Sequence, residues 1–163
     1  MKTSILIISL LVQSIFSNFL NIHISFFNPL FSLSALIIIY PYYKNKRKFF
    51  ITVFIFGICY DVLFSGFILI HSFLFLLIGV IIMIMYKLWN SLLLNIIIFQ
   101  IITIIVYQNF YYFIITIIDK LSWNSLMIFK LVMQSLLANI IFISLLYLIT
   151  EKISKKYKIR KIG

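Results

Sequence analysis

The sequence predicts an all-α polytopic membrane protein of about six transmembrane helices, with N- and C-termini cytoplasmic. Three observations carry that prediction. Hydrophobic residues make up 64% of the chain and charged residues 10%, whereas soluble domains average roughly 45–50% and about 25%. Uncharged runs recur at lengths that a single membrane crossing cannot use up. The Lys and Arg residues stand between those runs, where the positive-inside rule places them.

The net charge of +11 does not point to nucleic acid, because the chain has no soluble domain to present a basic face. All Lys and Arg residues except Lys120 and Lys130 fit a cytoplasmic assignment. The single cysteine, Cys59, excludes an internal disulfide and any cysteine-based metal site. The length of 163 residues allows one membrane domain, residues 1–150, followed by a basic cytoplasmic tail, 151–163.

The first uncharged run, Ile5 to Tyr43, would make a helix of about 58 Å, nearly twice a hydrocarbon core of about 30 Å. Two spans are therefore expected, broken between Asn18 and Asn28 where polar residues accumulate. Pro29 suits the first turn of the second span, where a missing N–H does no harm. The first span is expected to stay uncleaved, since no small-x-small site follows it. Pro41 and the Tyr42–Tyr43 pair end span two at an aromatic belt, and Lys44, Lys46, Arg47 and Lys48 form a basic loop.

The stretch from Phe49 to Tyr86 is again too long for one span. A turn at Ser65–Gly66 divides it into span three, about Phe49 to Phe64, and span four, Phe67 to Tyr86. After Lys87 the run to Ile118 reads as span five, about Ser91 to Tyr107, extended by an interfacial segment, QNFYYFIITII. A polar break at Asp119–Lys120 and Trp123–Asn124 precedes span six, about Ser125 to Ile149. Six spans leave Lys2, the 44–48 cluster, Lys87 and the tail on the cytoplasmic side.

The Phe49–Tyr86 hairpin concentrates the residues that are costly or special in a membrane. Gly57, Asp61 and Ser65 follow at i, i+4 and i+8 on one helix face, and His71 and Gly79 share a face of span four. Glycines allow helices to approach closely. Asp61, His71 and Lys130 fall at one depth in the outer third of the membrane, and ionisable groups inside spans are functional candidates by default. Asp61 is expected to pair with Lys130 or His71. A snorkelling Lys130 and a His71 bonded to nearby backbone are the plainer readings. Catalysis is not expected: the chain has three acids, no HExxH, no phosphate-cradling glycine loop and no nucleophile with its base. No cofactor or metal is expected either.

The same hairpin resembles the rod shape-determining protein MreD family, small bacterial inner-membrane proteins with about six spans. The residues that carry the resemblance are Phe26-Phe27-Asn28-Pro29-Leu30, the basic loop Lys44 to Lys48, Gly57-Ile58-Cys59-Tyr60-Asp61, Val62-Leu63-Phe64-Ser65-Gly66 and Ile70-His71-Ser72-Phe73. Leu30 and Leu69 depart from the family pattern, which often has an acid and a glycine there. The resemblance implies a non-enzymatic component of the cell-elongation complex in the bacterial inner membrane. It implies binding to MreC and, through the complex, a link to MreB, RodA and a class B penicillin-binding protein. Surrounding membrane lipid is the other expected partner.

The alternative is the substrate-binding subunit of an energy-coupling-factor vitamin transporter, for which the outer polar level would suit a small-molecule site. The small-residue docking stripe that those proteins carry on their first span is missing here, since Ala35 and Ala138 are the only alanines. A bare membrane anchor is a third reading.

Overall fold

The structure is a computed structural model that describes residues 1–20, 29–64, 69–90, 92–120 and 122–158. Among these, six α-helices and one 3-10 turn make up the ordered elements: α1 (Lys2–Leu20), α2 (Phe31–Ile39), the turn Tyr40–Tyr42, α3 (Lys46–Phe64), α4 (Ile70–Leu88), α5 (Leu93–Ile118) and α6 (Ser125–Lys156). The fold is all-α. Three helices, α4, α5 and α6, are long and apolar enough to cross a membrane.

The short helix α2 is the centre of the bundle. All nine of its residues, Phe31–Ile39, are buried, with α1, α4, α5 and α6 packed against it. Helix α3 closes the surround between α1 and α4. At 1.5 Å per residue α2 is about 14 Å long, half a hydrocarbon core, so it is a helix housed by other helices. Phe31 stacks on Phe142 of α6 at a centroid distance of 4.2 Å and meets Phe16 of α1 edge-on at 5.4 Å. At the other end, the Tyr86 hydroxyl donates to the Ile37 carbonyl at 3.0 Å. That bond supplies one of the carbonyls a helix C-terminus leaves without an intrahelical donor.

The outer faces are apolar on every long helix. Leu11 and Ile15 of α1, Ile55 and Leu63 of α3, Phe73 and Ile84 of α4, Leu94 of α5, and Phe129 and Leu137 of α6 are all exposed. The buried set, by contrast, includes Gln13, Ser34, Asp61, His71, Gln100, Thr103, Gln108, Ser135 and Asn139. Isolated apolar residues on a protein surface are ordinary, but an apolar shell around a polar interior suits a hydrocarbon solvent rather than water.

Several expected boundaries move, each for a visible reason. Helix α3 begins at Lys46, inside the basic cluster, because the Asn45 side chain accepts from the Arg47 N–H at 2.9 Å and caps it. Pro29 lies before α2 rather than in its first turn; Leu30 is the capping position and the helix starts at Phe31. In the run after Lys87 the expected span and its interfacial extension share a single helix. It continues to Ile118 and is about 39 Å long, with no glycine or proline inside it. Its polar side chains turn back on their own backbone, Asn109 Nδ2 to the Ile105 carbonyl at 2.8 Å and Thr116 Oγ1 to Tyr112 at 2.6 Å. Helix α6 likewise continues past Ile149 into the basic tail, with a Lys155–Glu151 ion pair one turn apart at 3.0 Å. The expected turn at Ser65–Gly66 and most of the break before Pro29 lie outside the described residues.

The basic residues collect at one end of the bundle. The Lys2 ammonium sits 4.0 Å from the centre of the Tyr43 ring, and Lys44, Lys46 and Lys87 line one groove. Met1 and Tyr157 line another, so the N-terminus of α1 and the C-terminus of α6 share that end.

Helices α3 and α4 form an antiparallel pair whose closeness depends on Gly57. A methyl group there would run into the Ser72 Cα and lie 2.9 Å from the Ser72 nitrogen and 3.2 Å from the His71 carbonyl oxygen. Those neighbours are backbone and cannot swing aside. At Gly79 a methyl group would meet only the Phe50 and Phe49 rings, at 3.3 and 3.4 Å. The two glycines therefore predict different outcomes for thermal unfolding of the purified protein in detergent. Gly57→Ala should cost about 3 kcal/mol or prevent folding, because backbones must separate. Gly79→Ala should stay within about 1 kcal/mol of the parent, since ring movement is offset by alanine's better helix propensity.

Candidate functional site

Helix α4 begins without a cap of its own, and His71 and Ser72 in its first turn are buried. Its N-cap residue is Leu69, in the left-handed region at φ 77°, with no side-chain hydrogen bond. The first turn of a helix leaves four N–H groups without intrahelical partners, and burial makes each one expensive. Asp61, one turn after Gly57 on α3, meets them. Its Oδ1 accepts from the His71 N–H at 3.0 Å and lies 2.7 Å from His71 Nδ1. Its Oδ2 accepts from the Ser72 N–H at 3.3 Å and the Ser72 hydroxyl at 3.1 Å. Asp61 is 1% exposed and His71 4%. A carboxylate at a helix N-terminus is also on the favourable side of the helix dipole. Asp61 thus caps α4 from the neighbouring helix, and Gly57 brings the two backbones close enough for it to reach.

The same solution recurs at α2, where Leu30 also lacks a side-chain cap. Gln13 of α1 accepts through Oε1 from the Ser32 N–H at 3.0 Å and the Ser32 hydroxyl at 2.8 Å, and donates through Nε2 to the Tyr60 hydroxyl at 2.8 Å. Asn139 of α6 accepts from the Leu30 N–H at 3.2 Å. Its amide in turn donates to the Ser135 carbonyl at 2.6 Å, and Gln108 of α5 donates to the Ser135 hydroxyl at 3.0 Å. Through these side chains the starts of α2 and α4 are tied to α1, α3, α5 and α6.

Beside this level lies a cavity of about 230 Å³ lined by Gln13, Pro29, Tyr60, His71, Tyr107, Gln108 and Tyr111, among others. The His71 ring stands among tyrosines, with centroids 4.7 Å from Tyr60, 5.2 Å from Tyr111 and 6.1 Å from Tyr107. The cavity wall is therefore aromatic, with amide groups set into it. No carboxylate lines it among the described residues, because both oxygens of Asp61 are occupied with α4. Hydrogen bonding and ring stacking are the contacts it offers.

Of the residues singled out from the sequence, the structure brings Gly57, Asp61 and His71 into one joint. Gly79 lies elsewhere along the α3–α4 contact, against Phe49 and Phe50, and Pro29 lines the cavity. Lys130 is exposed on α6; of the two partners expected for Asp61, His71 meets it, Nδ1 to Oδ1 at 2.7 Å. Ser65 and Gly66 lie outside the described residues. Sequence reasoning missed Gln13, Gln108, Ser135 and Asn139, and named Ser72 only within the resembling stretch. Their signal was present, since an amide or hydroxyl inside an apolar helix also needs a partner, but it is weaker than that of an acid, a histidine or a glycine. Comparison with protein-family models, curated proteins and solved structures found no match.

Replacing Asp61 by Leu should lower unfolding stability in detergent by roughly 3 kcal/mol, because it strips buried N–H groups of their acceptor. Ser72→Ala should cost about 1 kcal/mol. The double variant should cost less than the sum of the two, as groups sharing one network do. Additive losses would mean that the two side chains act independently.

Proposed function

We propose that this protein is a non-enzymatic, six-span component of a bacterial inner membrane that supports cell elongation, in the manner of the MreD family it resembles. The observation that carries the reading is the use made of the resembling residues. Gly57, Asp61, His71 and Ser72 form one locked helix–helix joint, so the motif serves to build a rigid bundle and its carboxylate is taken up in that joint. The function is then one of contact. The bundle would bind MreC and, through the complex, connect MreB, RodA and a class B penicillin-binding protein, helping to position lateral peptidoglycan synthesis.

The topology proposed with it has both termini cytoplasmic. It is supported by the gathering of Lys2, Lys44, Lys46 and Lys87 at the end that also holds the start of α1 and the end of α6. Helices α1 and α3 would complete the crossings on either side of α2, whose short length is acceptable because the residues that lead directly into it, Pro29 and Leu30, are buried.

The cavity beside His71 favours a second reading, a small-molecule subunit of an energy-coupling-factor transporter. An aromatic wall carrying amides is the usual make-up of a site for a planar polar ligand.

Two measurements separate the readings. Depletion in the host should round the cells and delocalise lateral wall synthesis, and the tagged protein should co-purify with a one-span coiled-coil partner. Normal shape on depletion together with a vitamin retained through detergent purification would reject the first reading in favour of the second.

A further inference from the structure

At the basic end of the bundle a groove of about 420 Å³ runs between the turn after α2 and the end of α4. Lys44, Lys46 and Lys87 line it together with Tyr40, Tyr43, Tyr86 and the apolar Met83 and Ile84. We propose that this groove is a binding site for the phosphate headgroup of an anionic phospholipid, with Met83 and Ile84 against its acyl chain.

Three features point to such a ligand. The lysines come from two separate elements, and none has an ion pair or hydrogen bond among the described residues. No acid lines the groove. Lys46, Arg47 and Lys48 occupy the first turn of α3, which contains no acidic residue. Cations there oppose the positive end of the helix dipole, whereas an anion would be stabilised by it. The wall is also graded, from ammonium groups through the tyrosines to Ile84, which is 49% exposed on the outer face. Inorganic phosphate would use only the first part of that gradient, and a diacyl phosphodiester uses all of it. Basic pockets between helices on the cytoplasmic side are places where anionic headgroups bind.

The proposal rests on the topology given above, and its test keeps the two separate. The full-length protein is reconstituted with equal phosphatidylglycerol and phosphatidylethanolamine, and flotation with the vesicles checks insertion. Protein that fails to float overturns the membrane reading and the lipid site with it. For inserted protein, lipid retained after extraction is counted by native mass spectrometry. The parent should be enriched in phosphatidylglycerol, and each of Lys44→Gln, Lys46→Gln and Lys87→Gln should lower that enrichment by up to about fivefold. Arginine at the same positions should keep it. Single controls, Lys152→Gln, Lys156→Gln and Lys158→Gln, each remove equal charge outside the groove and should keep it too. Equal loss in the groove and control variants, or no loss in either, overturns the site. Displacement of the retained lipid by millimolar inorganic phosphate would show that the groove takes free phosphate instead, and overturns the assignment to lipid.

Discussion

Backbone N–H groups at the start of a helix need acceptors, and where they are buried within the protein water does not supply them. Helices α2 and α4 both start in that position, and neither has a capping side chain of its own. Asp61, Gln13 and Asn139 resolve the problem from α3, α1 and α6. Each bond fixes where one helix begins relative to another, so the caps hold both the helix ends and the arrangement of the bundle. The remainder of the packing, including the wholly buried α2, follows from that constraint.

The acid and the glycine on α3 work as a pair. Gly57 removes the side chain that would separate α3 from α4, and Asp61 uses the resulting closeness to reach the first turn of α4. Neither residue is effective alone: a carboxylate further away could not accept from two successive N–H groups, and a close approach without it would bury them unpaired. His71 adds its ring to the same oxygen and then stands among Tyr60, Tyr107 and Tyr111. In this way a structural joint forms one wall of the cavity, and substitutions in the joint will alter the cavity's shape as well.

The all-α class and the presence of helices long and apolar enough to cross a membrane were legible in composition, and the importance of Asp61 in the rarity of acids. The depth argument brought His71 to Asp61 correctly, because both lie a similar number of residues from the same turn. Lys130, the other partner expected for Asp61, is exposed on α6. Helices α5 and α6 run beyond the expected spans, Ser91 to Tyr107 and Ser125 to Ile149, because charge and aromatic clusters do not end a helix. Side chains such as Asn109, Thr116 and Glu151 instead bond within the helix and let it continue. The shortness of α2 was hidden too: its apolar run looks like any span, and only the partners Gln13 and Asn139, far away in sequence, reveal that its start is buried.

The central claim is that side chains from neighbouring helices carry the first-turn amides of α2 and α4. Amide hydrogen exchange, resolved by residue in detergent micelles, tests it most directly. The His71 and Ser72 amides should exchange as slowly as the interior of α4 and become fast in Asp61→Leu, while Leu30 and Ser32 keep their protection. Rapid exchange of His71 and Ser72 in the parent protein, or protection that survives loss of the carboxylate, would contradict it.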